Sequence, residues 1–127
     1  MATLLLSFVF LGEGVFFQGA LDGVFEKARE EKKLVMVDVY TSWCGPCKLM
    51  DRTTFKDGEV RRFLTDKMIG YKIDAEKGEG IAFARKYGVV GYPCLLILDE
   101  RGQLVSRNLG YINAGDFLHW AKAGLDK

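Results

Sequence analysis

Apolar residues recur along the chain with two different spacings, and the spacing predicts which segments are helices and which are strands. The segment "LDGVFEKAREEKK" has one apolar helix face, because four residues follow the i, i+3, i+4, i+7 rule: Leu21, Val24, Phe25 and Ala28. The run "LVMVDVY" at 34–40 is instead almost continuously apolar and rich in β-branched residues. Such a run is typical of a strand that is buried on both faces.

The same two patterns continue to the C-terminus. Helices are predicted in "KLMDRTTF", "DGEVRRFLTDK", "IAFARKYG" and "AGDFLHWAKAGLDK", and strands at 68–74, 94–99 and 103–110. A short β-like stretch, "GVFFQG" at 14–19, precedes the first helix, and "ERG" joins the last two strands as a hairpin turn. The order β-α-β-α-β-α-β-β-α predicts a three-layer α/β/α domain around a central mixed sheet of about five strands.

The first residues form a separate apolar segment. "ATLLLSFVFLG" has the length of a signal-peptide core and is too short to span a bilayer as a helix. No Lys or Arg precedes it, and Glu13 follows without a clean cleavage site. We therefore divide the chain into 1–13, an apolar arm or signal-peptide remnant, and 14–127, the domain. An exported, periplasmic location is the expectation, and a cytoplasmic one is the alternative.

Composition and charge narrow the function classes. The length of 127 residues fits one domain, and 18 basic against 17 acidic residues leave a net charge of +1. This balance gives no reason to expect nucleic acid as a partner, and we expect a monomer without stable membrane insertion. Three cysteines are too few for a disulfide scaffold, and their odd number leaves at least one thiol outside an intrachain bridge.

The candidate chemistry lies in "TSWCGPCK" at 41–48. Cys44 follows a buried strand and precedes a helix, where free backbone N–H groups and the helix dipole favour a thiolate. Pro46 is compatible with a first helical turn. Cys44 and Cys47 are three residues apart, so they can meet in a short disulfide. Such a pair can attack a substrate disulfide through Cys44 and resolve the mixed disulfide through Cys47.

Two other interpretations of the cysteine pair are weaker. A structural disulfide stabilises most when it closes a long loop, and this pair closes almost none. A zinc site needs four ligands, and Cys94 and His119 are the remaining candidates, neither at ligand-pair spacing. We therefore expect a redox pair rather than a zinc site or a structural disulfide.

At these residues the chain resembles the thioredoxin superfamily. "DVYTSWCGPCK" is similar to that family's active-site segment, and "YGVVGYPCLLIL" is similar to the segment with its cis-proline, which places Pro93 in that role. "LGYINAGDFL" resembles the glycine that closes the last strand and the start of the final helix. The resemblance covers about 15–125. With "FKDGEV" and "DAEKGEG", the chain looks most like bacterial periplasmic thioredoxin-like proteins, often described as candidate disulfide isomerases or thiol:disulfide interchange proteins.

The resemblance implies a thioredoxin fold, a redox-active disulfide between Cys44 and Cys47 with no bound cofactor, and roles for particular residues. Asp38 takes the position of an aspartate behind the cysteine pair that assists proton transfer at Cys47, and burial raises the pKa of such a carboxyl. The alternative for Asp38 is a strand-end residue that points to solvent. The substrate-binding residues that the resemblance implies flank the pair and the cis-proline: Trp43, Gly45, Pro46, Tyr92 and Pro93.

The chain departs from the family at two positions. Many thioredoxins carry a lysine near the aspartate, and the matching position here is Gly70; Lys72 lies two residues on and points to the same side of its strand. Whether Lys72 takes over stays open. Cys94 replaces a threonine that is common in relatives. It is either a small buried apolar residue or a third thiol that forms a trapped disulfide.

The functional expectation is a thiol–disulfide oxidoreductase that acts on protein disulfides with an upstream thiol–disulfide reductant or oxidant. Gly45 and Pro46 match reducing thioredoxins, which favours a reductase. A disulfide isomerase and an electron-relay module are the alternatives. A different class, a binding module with an idle cysteine pair, is disfavoured by the intact pair together with Trp43 and Asp38.

Overall fold

The structure is a computed structural model that describes residues 14–127. The expected apolar arm or signal-peptide remnant at 1–13 lies outside these described residues. In the described part of the chain, no helix has both the length and the apolar character needed to cross a membrane.

Helices and strands alternate as the apolar patterns predict. In chain order the described elements are α1 Leu21–Glu31, β1 Leu34–Tyr40, α2 Gly45–Arg52, α3 Gly58–Lys67, β2 Met68–Asp74, α4 Glu79–Lys86, β3 Cys94–Leu98, β4 Leu104–Leu109 and α5 Ala114–Leu125. The predicted helix "KLMDRTTF" is shorter than expected, because α2 ends at Arg52 and a 3₁₀ turn follows at Thr54–Lys56. The Thr53 hydroxyl donates a hydrogen bond back to the Leu49 carbonyl oxygen at 2.8 Å, a local bond that competes with helix continuation.

Side-chain caps determine where two of the helices begin. Asp57 precedes α3, and its carboxylate accepts hydrogen bonds from the backbone N–H groups of Glu59 at 3.0 Å and Val60 at 3.1 Å. Asn113 precedes α5 and accepts from the N–H of Asp116 at 2.8 Å. Each cap satisfies N–H groups that have no partner inside the helix, a stabilisation of about 1 kcal/mol per cap.

The sheet has the order β2-β1-β3-β4. β1 runs parallel to β2 and antiparallel to β3, and β3 and β4 form an antiparallel pair. The sheet is therefore mixed, as the predicted hairpin requires. In this register Asp38, near the end of the central strand β1, is opposite Lys72 of β2 on one side and Leu95 of β3 on the other.

Alternate residues of the central strand pack into two separate cores. Val35, Val37 and Val39 lie in the core that includes buried residues of α1 and α4. Met36 lies in the core on the other face, which includes buried residues of α2, α3 and α5. A strand points successive side chains to opposite faces, so Asp38 faces the same side as Met36. The three-layer α/β/α arrangement is thus confirmed, with the cysteine-bearing helix α2 on the Asp38 side.

The expected strand count of about five is wrong for the described residues, where the sheet has four strands. The β-like stretch at 14–19 makes a single bridge, Phe16 to Gly70, and the Phe17 N–H donates to the Gly70 carbonyl oxygen at 2.7 Å. Pairing does not extend further, because the chain leaves the edge of β2 and enters α1 at Leu21. The apolar residues of this stretch therefore cover the edge of the sheet rather than extend it.

Candidate active site

Cys44 and Cys47 form a disulfide at the start of α2. Cys44 is the N-cap residue, with extended backbone at φ −82° and ψ 112°, and its Sγ accepts a hydrogen bond from the Cys47 N–H at 3.1 Å. Gly45 and Pro46 complete the first turn, so proline sits where no N–H partner is lost. Both cysteines are 3% exposed, so only a small area of the disulfide is open to water.

This placement supplies the electrostatics that thiol–disulfide chemistry needs. When the disulfide is reduced, Sγ of Cys44 lies at the helix N-terminus, where the backbone N–H of Cys47 and the helix dipole stabilise a negative sulfur. A thiolate is the nucleophile in disulfide exchange. Of the two sulfurs, that of Cys44 is therefore the one at the N-cap, and Cys47 lies one helical turn further along α2.

Two aromatic side chains stand beside the disulfide. Trp43 is 64% exposed, and its indole Nε1–H donates to a carboxylate oxygen of Glu76 at 3.0 Å. Its ring meets that of Tyr92 edge to face, with ring centroids 6.0 Å apart. The hydrogen bond and the ring contact hold a large exposed aromatic surface in a defined orientation, which suits contact with a substrate chain.

The Tyr92–Pro93 peptide bond is cis, as the resemblance implies. The Pro93 carbonyl oxygen accepts a hydrogen bond from the Gly110 N–H at 2.7 Å, so the loop before β3 is tied to the chain that follows β4. The ring contact between Tyr92 and Trp43 brings this loop next to the cysteine pair. The predicted substrate-binding residues therefore lie together at one end of the sheet.

Asp38 is buried, with 1% of its surface exposed, and does not point to solvent. One carboxylate oxygen accepts a hydrogen bond from Nζ of Lys72 at 2.5 Å, and the other has no hydrogen-bond partner among the described residues. Burial raises the pKa of the Asp38 carboxyl, the charge of Lys72 opposes this rise, and the nearby charge of Asp51 adds to it. A carboxyl with these properties is suited to exchange protons at the redox pair.

The position of the family lysine is Gly70 in this chain, and the ammonium beside Asp38 comes from Lys72 instead. Its ammonium lies 2.5 Å from the Asp38 carboxylate and 2.8 Å from that of Asp51 on α2. Asp51 is four residues after Cys47, so the two share one face of the helix. The shared ammonium therefore links that face of α2 to Asp38.

Cys94 lies on the other face of the sheet from Asp38. It is a free, buried thiol in the core that includes residues of α1 and α4. An Nη1–H of Arg107 points at its sulfur at 3.7 Å, while Nη2 donates to the Tyr87 carbonyl oxygen at 2.6 Å. Burial raises the pKa of the Cys94 thiol and the Arg107 charge opposes the rise. The structure thus favours the interpretation of Cys94 as a small core residue.

Three residues around the site were missed by the sequence interpretation. Glu76 anchors Trp43, Asp51 holds Lys72, and Phe16 places its ring over the same ammonium at 5.3 Å. Asp51 carried one usable signal, since its spacing from Cys47 is that of neighbours on a helix face. The other two contacts join segments far apart in sequence, and no local pattern predicts them.

Metal ligands do not cluster around the cysteine pair. Among residues 14–127 no group of three or more His, Cys, Asp or Glu side chains could hold a metal ion. Asp38 and Asp51 face each other, but the cation between them is the Lys72 ammonium.

A thioredoxin-type sheet, a disulfide at a helix N-terminus and a facing cis-proline loop together define a thiol–disulfide oxidoreductase. The sequence profile of the thioredoxin-like domain matches residues 21–125, and the chain belongs to this family.

Individual relatives agree with this assignment. The thiol:disulfide interchange protein DsbD of Tatumella citrea is 34% identical over 94 residues, which are 72% of this chain and 16% of that protein. This chain thus spans a small part of the length of the curated relatives it matches. A candidate disulphide isomerase of Bacteroides thetaiotaomicron is 37% identical with a TM-score of 0.78, over 88% of this chain and 93% of that one. The oxidised C-terminal domain of Neisseria meningitidis DsbD is 26% identical with a TM-score of 0.70, over 86% and 98% of the two chains.

Proposed function

We propose that this domain reduces disulfides of protein partners. The Cys44 thiolate attacks one sulfur of the partner's disulfide, and the other sulfur leaves as a thiolate. Cys47 then loses its proton and attacks Cys44, so the Cys44–Cys47 bond forms and the mixed disulfide breaks. Two electrons pass from the dithiol to the partner, and Asp38 takes the proton of Cys47.

The observation that carries this proposal is the position of Cys44. Its sulfur accepts the Cys47 N–H at 3.1 Å at the first turn of α2, the place where a thiolate is most stabilised by backbone. Gly45 and Pro46 between the cysteines match reducing thioredoxins, which favours the reducing direction. The exposed Trp43 and the cis-proline loop provide the surface for an extended peptide.

Insulin reduction with dithiothreitol as electron donor tests the proposal. The parent protein should accelerate precipitation of the insulin B chain, and Cys44→Ala should lose this acceleration. Cys94→Ala is the matched control, because it removes a cysteine that is neither exposed nor paired, and it should keep the activity. If Cys44→Ala stays active, Cys44 is not the attacking thiol, and if the parent is inactive, the pair does not act as a reductase of protein disulfides; either result overturns the proposal.

A disulfide isomerase is the second candidate, favoured by the similarity to the Bacteroides thetaiotaomicron protein. The midpoint potential of the Cys44–Cys47 pair separates the two. It can be titrated against glutathione and followed by Trp43 fluorescence in a Trp120→Phe background, which removes the second tryptophan. A value near about −270 mV supports the reductase, and a value of about −180 mV or higher supports the isomerase or an oxidant.

The partners follow from the chemistry. Each turnover leaves Cys44 and Cys47 oxidised, so an upstream thiol–disulfide reductant must restore the dithiol. Similarity to one part of DsbD supports a role as an electron-relay module that receives electrons from such a donor. We further propose an exported, periplasmic location and a monomeric state, on the resemblance to periplasmic thioredoxin-like proteins.

A further inference from the structure

The Lys72 ammonium is held between two carboxylates of different exposure. Asp38 is buried, whereas the side chain of Asp51 is 49% exposed, and Lys72 itself is 26% exposed. Nζ lies 2.5 Å from an Asp38 oxygen and 2.8 Å from an Asp51 oxygen. The three side chains thus form a continuous polar path from the protein surface to the buried carboxyl.

Aromatic rings close the remaining sides of this ammonium. The centroids of Phe16, Tyr40 and Phe55 lie 5.3, 5.0 and 5.4 Å from Nζ of Lys72. The negative faces of such rings attract a cation within about 6 Å. Lys72 is therefore kept charged and fixed in place, although burial alone would lower its pKa: Asp38 and Asp51 reverse that effect and raise the pKa of Lys72.

The lack of a side chain at Gly70 makes this arrangement possible. A Cβ at this position would lie 3.0 Å from the Phe16 ring and 3.1 Å from the Val15 carbonyl oxygen. Without it, the segment around Phe16 lies against the edge of β2 and its ring covers Lys72. The two departures, glycine at position 70 and lysine at position 72, are thus parts of one arrangement.

We propose that Asp51 is a positioning residue of the redox site, which acts through Lys72 to set how readily Asp38 accepts the proton of Cys47. The inference rests on the proposed function, since it concerns the resolving step of that reaction. In that step the Cys47 S–H proton moves to the Asp38 carboxylate, the new sulfur–sulfur bond forms at Cys44, and the partner leaves as a thiolate. Asp51 touches none of the reacting atoms.

Opposite effects of the two neighbours follow from their charges. The titratable groups that interact with Asp38 come from four elements: Lys72 of β2, Asp51 of α2, Tyr40 of β1 and Cys94 of β3. Lys72 stabilises the ionised carboxylate, so its loss should make Asp38 harder to ionise. Asp51 shares the Lys72 ammonium with Asp38 and its own charge also disfavours the ionised Asp38. Its loss leaves the ammonium to Asp38 alone and should make Asp38 easier to ionise.

The test is a titration of Asp38 in the full chain, read by the carbon NMR signal of its labelled carboxyl in the reduced and oxidised protein. Asp51→Asn should move the inflection of Asp38 to lower pH, and Lys72→Gln should move it to higher pH. Asp66→Asn is the matched control, because it removes one carboxylate charge from an exposed helix position remote from Lys72, and it should move nothing. The pH profile of insulin reduction should shift in the same directions.

Each outcome decides one of the two claims. Opposite shifts in the two variants support the inference, because a general loss of stability would not move the titration in opposite directions. If the titration of Asp38 is unchanged in Asp51→Asn, the inference about Asp51 is overturned. The proposed function can still stand in that case, because it depends on the loss of activity in Cys44→Ala. Retained activity in Cys44→Ala overturns the proposed function instead, and the carboxyl titration still reports on the Asp51 coupling.

Discussion

Removal of the Lys72 ammonium tests how much this ion pair contributes to the free energy of unfolding while the Asp38 carboxylate stays buried. In Lys72→Met, Asp38 keeps its burial at 1% exposure and loses its hydrogen-bond donor, while its other oxygen already has no partner among the described residues. Removing one partner of a buried ion pair costs about 3 to 5 kcal/mol. Because the Lys72 side chain is 26% exposed, we expect the lower end, about 3 kcal/mol at neutral pH.

The pH dependence of that loss follows from the direction of the Asp38 shift. Burial raises the pKa of Asp38, and loss of the Lys72 charge raises it further. A carboxyl with a raised folded-state pKa favours folding below its unfolded pKa of about 3.9, and this advantage disappears as pH rises through the folded-state pKa. Lys72→Met should therefore be most destabilised at alkaline pH and approach the parent as the solution is acidified.

Urea unfolding of the oxidised protein at about pH 5 and about pH 8 measures this dependence. Lys77→Met is the matched control, because Lys77 is exposed and its side chain holds no hydrogen bond or ion pair in the described part of the chain. The double variant Asp38→Leu, Lys72→Met removes both charges and should recover most of the loss. An equal cost of Lys72→Met at both pH values, or a double variant as unstable as the single one, would refute the reasoning.

Two further predictions concern the core. Cys94 is a free buried thiol, so the oxidised protein should take up no alkylating reagent while folded and one equivalent after unfolding in denaturant, mapped to Cys94 by mass spectrometry of its peptides; alkylation at Cys44 or Cys47 instead would indicate a trapped disulfide of Cys94. Gly80→Ala should destabilise by about 3 kcal/mol in urea unfolding, the upper part of the range for overpacking, because a Cβ there would lie 1.8 Å from the Asp74 carbonyl oxygen. Gly58→Ala has open space around the new Cβ and should cost almost nothing, and equal costs for the two variants would contradict this account.

Local patterns predicted the elements that carry the reaction. The periodicity of α1 and the apolar run of β1 have physical causes that act over a few residues, namely the 3.6-residue helix repeat and burial of a central strand. The placement of Cys44 at a helix N-terminus followed from the same local reasoning, because a buried strand ends directly before it and Pro46 follows.

Contacts between distant segments could not be obtained in this way. The stretch at 14–19 has a β-like pattern, yet it makes one bridge to Gly70, since its apolar residues fill the space at a sheet edge rather than pair along it. The departure of the lysine from position 70 to position 72 was visible in the sequence. Whether Lys72 would form an ion pair with Asp38, or Asp38 would face solvent, could not be read from the sequence.

The sequence by itself determined an α/β fold with a redox pair at Cys44 and Cys47, because cysteine spacing, proline and apolar periodicity are all encoded locally, and the resemblance of its motifs indicated the thioredoxin type. The tertiary structure alone decided what surrounds Asp38. The electrostatics of that carboxyl depend on Lys72 from the next strand and on Asp51 from the helix above, which are brought within hydrogen-bond distance only when the sheet and α2 are packed together. Charge interactions are set by distance in space rather than along the chain, so folding was needed to assign them.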